Sequence, residues 1–154
     1  MLDLNLERLN AHRETIEANL QQLEGLRGRT FKEFTQDAQA LAAAKYWLQS
    51  AIQAMIDITS HICARLRLAT QPDSGECIRA LEAKELLPKE NATKYVQMIR
   101  FRNVLVHLYG EVDDKRVHEI LEKELEYFRM FLIDLDAIVE QQEKQKKSKG
   151  KRKK

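Results

Sequence analysis

The segment KYWLQSAIQAMIDITSHI, residues 45–62, sets the fold class. Leu48, Ile52, Met55, Ile56 and Ile62 recur at spacings of three, four and their sums, the period of one face of an α-helix. The pattern reaches back to Leu41 and on to Leu66, and Asp37 stands where an N-cap belongs. One long helix over about 37–68 is expected, with Phe31 and Phe34 leading into it. Lys45, Trp47, Asp57 and His61 interrupt its apolar run.

Outward from this helix the same period returns. Leu2, Leu6, Leu9, Ile16, Leu20 and Leu23 form a heptad stripe broken at Arg13, which predicts a first helix of about 24 residues. Gly25 and Gly28 end it, with RGRT as the connection. ATQPDSGE (69–76) reads as a loop. A short helix follows at about 75–85. Asn91 is the expected cap of a third long helix over about 92–109, with Gly110 ending it. Asp113 or Asp114 then caps a last helix whose core face is Ile120, Leu121, Leu125, Phe128, Phe131, Leu132, Leu135 and Ile138, to about Gln142. Five glycines and two prolines in 154 residues, among many Leu, Ala, Glu, Gln and Lys, agree with an all-α chain. The expected architecture is an antiparallel four-helix bundle with a short extra helix.

Charge divides the chain. KQKKSKGKRKK (144–154) carries eight of the 26 basic residues and no acid, leaving 18 against 24 acids elsewhere. The expected organisation is a helical domain over 1–143 and a disordered basic tail over 144–154. The tail reads either as a phosphate-binding arm or as a solubilising extension. No apolar run is long enough to cross a bilayer and no signal-peptide pattern opens the chain, so a cytoplasmic protein is expected. Cys63 and Cys77 lack zinc or disulfide-framework spacing and read as thiols in a reducing compartment. Asp57 and His61 form an i,i+4 pair without a third ligand, so no metal site is expected. No Gly-rich phosphate loop is present, and the chain is not expected to use ATP itself.

The chemistry concentrates in RNVLVHLY, residues 102–109. Each helical residue turns about 100°, so with Arg102 at the origin Phe101, Val104, Leu105 and Leu108 fall on one arc, taken as the core face. Asn103, His107 and Tyr109 fall elsewhere. Arginine presents a fork of donors suited to phosphate, and an imidazole can move a proton near neutral pH. His107 can deprotonate a ribose 2′-hydroxyl while Arg102 stabilises charge on the phosphorane, with Asn103 holding the imidazole or a phosphate oxygen. Arg102 and His107 lie about 140° and 7.5 Å apart along one helix, so a symmetric dimer would converge them better. Arg100 aligns with His107 and is either a further phosphate contact or a surface residue. A solvent-exposed face with no chemistry is the plain alternative.

RNVLVH resembles the R-N-x-x-x-H signature of HEPN ribonucleases, and RNVLVHLY resembles the longer R-x4-H-x-Y form of the HepT toxins of HepT/MntA toxin–antitoxin systems. KYWLQSAIQAMIDITSHI and MIRFRNVLVHLYGEVDDKRVHEIL (98–121) resemble that family's second and active helices, and the likeness spans about residues 1–140. The resemblance implies a HEPN bundle, a homodimer, and a metal-independent endoribonuclease toxin of a type VII-like system, with no cofactor for cleavage. It implies Arg102 and His107 as the catalytic pair and Asn103 as their polar neighbour. It implies Tyr109 as the residue that an MntA-like minimal nucleotidyltransferase antitoxin modifies with AMP, using ATP and Mg2+. Lys45 stands where many relatives carry arginine. The alternative is a non-catalytic HEPN module that binds a partner nucleotidyltransferase or a nucleotide.

Overall fold

The computed structural model describes residues 4–68, 75–107 and 114–152. Leu108, Tyr109, Gly110 and Asp113 lie outside them, as does the side chain of His107. The described residues form seven helices and no strand: α1 (Leu6–Glu24), α2 (Phe31–Gln36), α3 (Ala38–Arg65), α4 (Glu76–Ala83), α5 (Lys89–His107), α6 (Asp114–Lys123) and α7 (Glu126–Arg152).

Side chains set most of the boundaries. Asn5 caps α1 by accepting from Arg8 N–H at 3.1 Å. The helix ends at Gly25, and Gly28 then turns the chain at φ +91°, a left-handed conformation natural to glycine. Thr30 caps α2, accepting from Glu33 N–H at 3.1 Å and donating its hydroxyl to Glu33 Oε1 at 3.0 Å. Asp37 closes α2 and caps α3, accepting from Ala40 N–H at 3.0 Å. That backbone bond, and then Arg29 at 3.1 Å, hold its carboxyl below the usual range.

α3 is the central element. Its 28 residues extend about 42 Å and bury Leu48, Ile52, Met55, Ile56, Ile58 and Ile62. α1 and α5 pack against it, and α7 packs on both α5 and α1, closing a four-helix bundle. α2 and α6 pack on each other and on α3, while α4 bridges α3 and α5. Ile16, Leu23, Phe34, Leu81, Tyr95, Leu121 and Phe128 join one core. Burying each such side chain contributes about 1.5–3 kcal/mol.

Several expectations change. Leu6, placed in the first apolar seam, is 40% exposed. Asn91 does not cap α5: the helix starts at Lys89, and Asn91 donates from Nδ2 to Asp134 Oδ2 at 3.0 Å across to α7. The expected last helix is two, α6 and α7, separated at Glu124 and Leu125 by tight i→i−3 turns. Its apolar period passes through the break in register, so periodicity cannot reveal it. Instead of stopping near Gln142, α7 runs on to Arg152 and carries helix into the basic segment, where Lys144 to Ser148 are exposed. A helix already nucleated by a packed segment propagates cheaply through Lys, Gln and Arg.

Candidate functional site

The face of α5 differs from the one that the 102–109 octet suggests. Tyr95, Met98, Ile99 and Leu105 are buried, and all lie within about 60° of Arg102 around the helix. Val104, assigned to the core, is 55% exposed. Arg102 therefore continues the buried stripe and points its half-buried side chain at α3. The upstream residues fix the helix's rotation, and the octet alone is too short to contain them.

At α3 the guanidinium meets an amide. Arg102 Nη2 donates to Gln53 Oε1. Its Nη1 donates to Asn103 Oδ1 at 3.0 Å. Gln53 Nε2 in turn donates to Asp57 Oδ1, one helical turn on, at 2.9 Å. Among the described residues the buried Nε of Arg102 has no hydrogen-bond partner. The sequence reading missed Gln53. Gln53 and His61 both stand four residues from Asp57, and spacing alone does not tell which of them is its partner.

That pair is divided between two tasks. His61 is buried and its Nε2 accepts from Asn5 N–H at 3.1 Å, tying α3 to the start of α1. Burial, then the charges of Arg65, Arg8 and His12, hold its pKa below the ordinary value of 6.5. The accepting Nε2 requires the neutral ring. His118 bonds the Arg29 carbonyl at 2.8 Å and packs against Phe31 and Phe34. Among the described residues no three His, Cys, Asp or Glu side chains cluster as metal ligands do. Lys45 pairs with Asp114 at 3.0 Å, joining α3 to the start of α6. Both cysteines are buried. Arg100 is exposed on the outer side of α5.

Beside Gln53 a shallow polar groove opens between α1 and α3, lined by His12, Thr15, Tyr46, Gln49, Ser50 and Asp57. Tyr46 is 65% exposed there. The chain thus presents a cationic fork held from two sides, next to an open polar surface.

This arrangement of helices is the all-α HEPN fold. The tri-AMPylated HEPN toxin of Shewanella oneidensis, solved in complex with an MNT antitoxin, superposes with a TM-score of 0.73 at 22% identity, over 85% of this chain and 96% of that one. A toxin–antitoxin complex with AMP-PNP gives 0.72 at 22% identity, over 85% and 97%. YutE of Bacillus subtilis, a cytosolic protein of unknown function, gives 0.73 at 13% identity, over 92% and 95%. In sequence, the mRNA nuclease HepT of Shewanella oneidensis is 27% identical over 100 residues, 65% of this chain and 75% of the relative. A family model described as ribonuclease HepT-like matches residues 16–135, and the chain belongs to that HepT-like family.

Proposed function

We propose that this chain is the toxin of a HEPN–nucleotidyltransferase pair: a cytoplasmic, homodimeric endoribonuclease that cuts RNA with Arg102 and His107. The observation that carries the reading is the Arg102 guanidinium, half-buried and held by Gln53 and Asn103 on the helix that bears R-N-x-x-x-H. The His107 imidazole removes the proton of a ribose 2′-hydroxyl. O2′ attacks the adjacent phosphorus, the bond from phosphorus to O5′ breaks, and O5′ leaves with a proton. The products are a 2′,3′-cyclic phosphate and a 5′-hydroxyl. Arg102 offsets the charge that grows on the phosphoryl oxygens. Arg100, exposed on the same helix, meets a flanking phosphate. No step calls on a metal, so cleavage survives EDTA.

A symmetric homodimer would bring together Arg102 and His107, which lie apart around one helix, and Val104, 55% exposed, sits on that helix. Control falls to Tyr109. A minimal nucleotidyltransferase partner transfers AMP from ATP, with Mg2+, to its phenol oxygen and releases pyrophosphate. The added phosphate brings negative charge seven residues along the chain from Arg102 and repels RNA.

One observation favours a second reading, a HEPN module that binds its partner without cutting RNA: both Nη atoms of Arg102 already have partners within the chain. Coexpression with a partner nucleotidyltransferase tests the proposal. AMP-sized additions mapping to Tyr109, with loss of RNA cleavage in step with modification, are expected. A chain that binds the partner, never cuts RNA and takes no AMP belongs to the second reading.

A further inference from the structure

We propose that Gln53 and Asp57 are positioning residues for Arg102, so that α3 sets the aim of the guanidinium carried by α5. The inference rests on the reading of Arg102 as the group that meets phosphate.

The chemistry of the three side chains permits one arrangement. An arginine only donates and an ionised carboxylate only accepts. A glutamine amide has one end of each kind. Gln53 lies between the two, with Nε2 toward Asp57 at 2.9 Å and Oε1 toward Arg102. Turning the amide over would face donor to donor at Arg102 and acceptor to acceptor at Asp57. The two charged groups therefore select the same orientation of the amide. Gln53 and Asp57 sit one turn apart on the longest helix of the core, between Ile52, Ala54, Met55, Ile56 and Ile58, all buried. The support is as rigid as the bundle.

The neutral amide also explains why a carboxylate does not take this place. A glutamate at 53 would form an ion pair with Arg102 and satisfy its charge within the chain. The amide fixes the direction of the fork and leaves its positive charge for an anion. Asn103 does the same from the other side, accepting at Nη1 through a neutral oxygen. Each Nη carries a second N–H, so two held donors leave two others with a defined direction. A group aimed in this way needs little reorganisation when phosphate charge develops.

The test is single-turnover cleavage of one RNA by the full chain carrying Gln53→Met, Gln53→Leu, Gln53→Glu, Asp57→Asn or Asp57→Leu. Misaiming a transition-state group by about an ångström costs on the order of 100-fold. Gln53→Met and Gln53→Leu are expected to lower the cleavage rate by about 10- to 100-fold, with RNA affinity nearly unchanged. Gln53→Glu is expected to be at least as slow and to weaken RNA binding as well. Asp57→Asn can still accept from Gln53 and is expected to retain most of the activity that Asp57→Leu loses. A second readout is independent of cleavage: urea unfolding of Gln53→Met, Arg102→Met and the double variant, whose midpoint shifts are expected to be non-additive. Additive shifts, or Gln53→Met cutting RNA at the wild-type rate, would overturn the inference. An unmutated chain that cuts no RNA would overturn the nuclease reading instead, and the unfolding cycle tells the two failures apart.

Discussion

Tyr95 on α5, buried and edge-on to Phe131, donates its phenol hydrogen to the half-buried Asp134 Oδ2 on α7 at 2.5 Å. Burial, then the bond to Asp134, push the phenol's pKa far up, so it stays a donor at any ordinary pH. Asn91 donates to the same oxygen at 3.0 Å. Tyr95→Phe keeps the ring and removes one of two donors. A hydrogen bond to a charged group is worth about 1.5–3 kcal/mol, and with Asn91 remaining the loss is expected near 1.5 kcal/mol in urea unfolding. An unchanged midpoint would mean that this bond does not help to join α5 to α7.

His61 makes stability depend on pH. Its folded pKa lies below 6.5, chiefly through burial. Between the two values the unfolded chain binds the proton and the folded chain does not. The contribution is therefore complete above about pH 6.5 and is lost as pH falls below it. Protonation also ends the bond from Asn5 N–H. His61→Gln keeps an acceptor and cannot titrate. Urea midpoints at about pH 7.5 and about pH 5.5 are expected to differ less in this variant than in the unmutated chain. An equal difference would mean that His61 does not set the pH dependence of stability.

Val104 is 55% exposed on the helix that bears the motif. If two copies meet there, Val104→Glu places like charges face to face across the twofold axis. Light scattering is expected to report a monomer, and RNA cleavage is expected to fall with it. A dimer that persists at full activity would move the interface elsewhere.

The basic end of α7 separates two uses by salt. Eight of the 11 residues from 144 to 154 are Lys or Arg, on a chain whose remainder is acidic by six charges. Each phosphate neutralised on a single strand steepens the slope of log K against log salt by about 0.7. Removing 144–154 is expected to weaken RNA binding and flatten that slope. The same slope in the truncated chain would leave the segment a solubilising role.

Much of the bundle was legible because core residues repeat at the helical period and caps have distinctive side chains. Leu48 to Ile62 place α3, and Asp37 marks its start in the sequence and in the structure. The break between α6 and α7 was not legible, because Ile120, Leu121, Leu125 and Phe128 keep their period across it. Asn91 misled because the side chain that suits a cap also suits a bond to another helix, here Asp134. At the site, the motif residues could be picked out by type, but their facing could not. Arg102 lies on the buried stripe because Tyr95 and Ile99, one to two turns earlier, turn it there. Gln53, 49 residues away, becomes its partner only through the packing of α5 on α3.

Whether Arg102 and His107 cut RNA is read from end-group analysis of one RNA incubated in EDTA with the unmodified chain and with His107→Ala. Fragments ending in 2′,3′-cyclic phosphate are expected from the first and uncut RNA from the second. Equal cleavage by the two proteins, or fragments ending in a 3′-hydroxyl, would contradict cleavage by this pair.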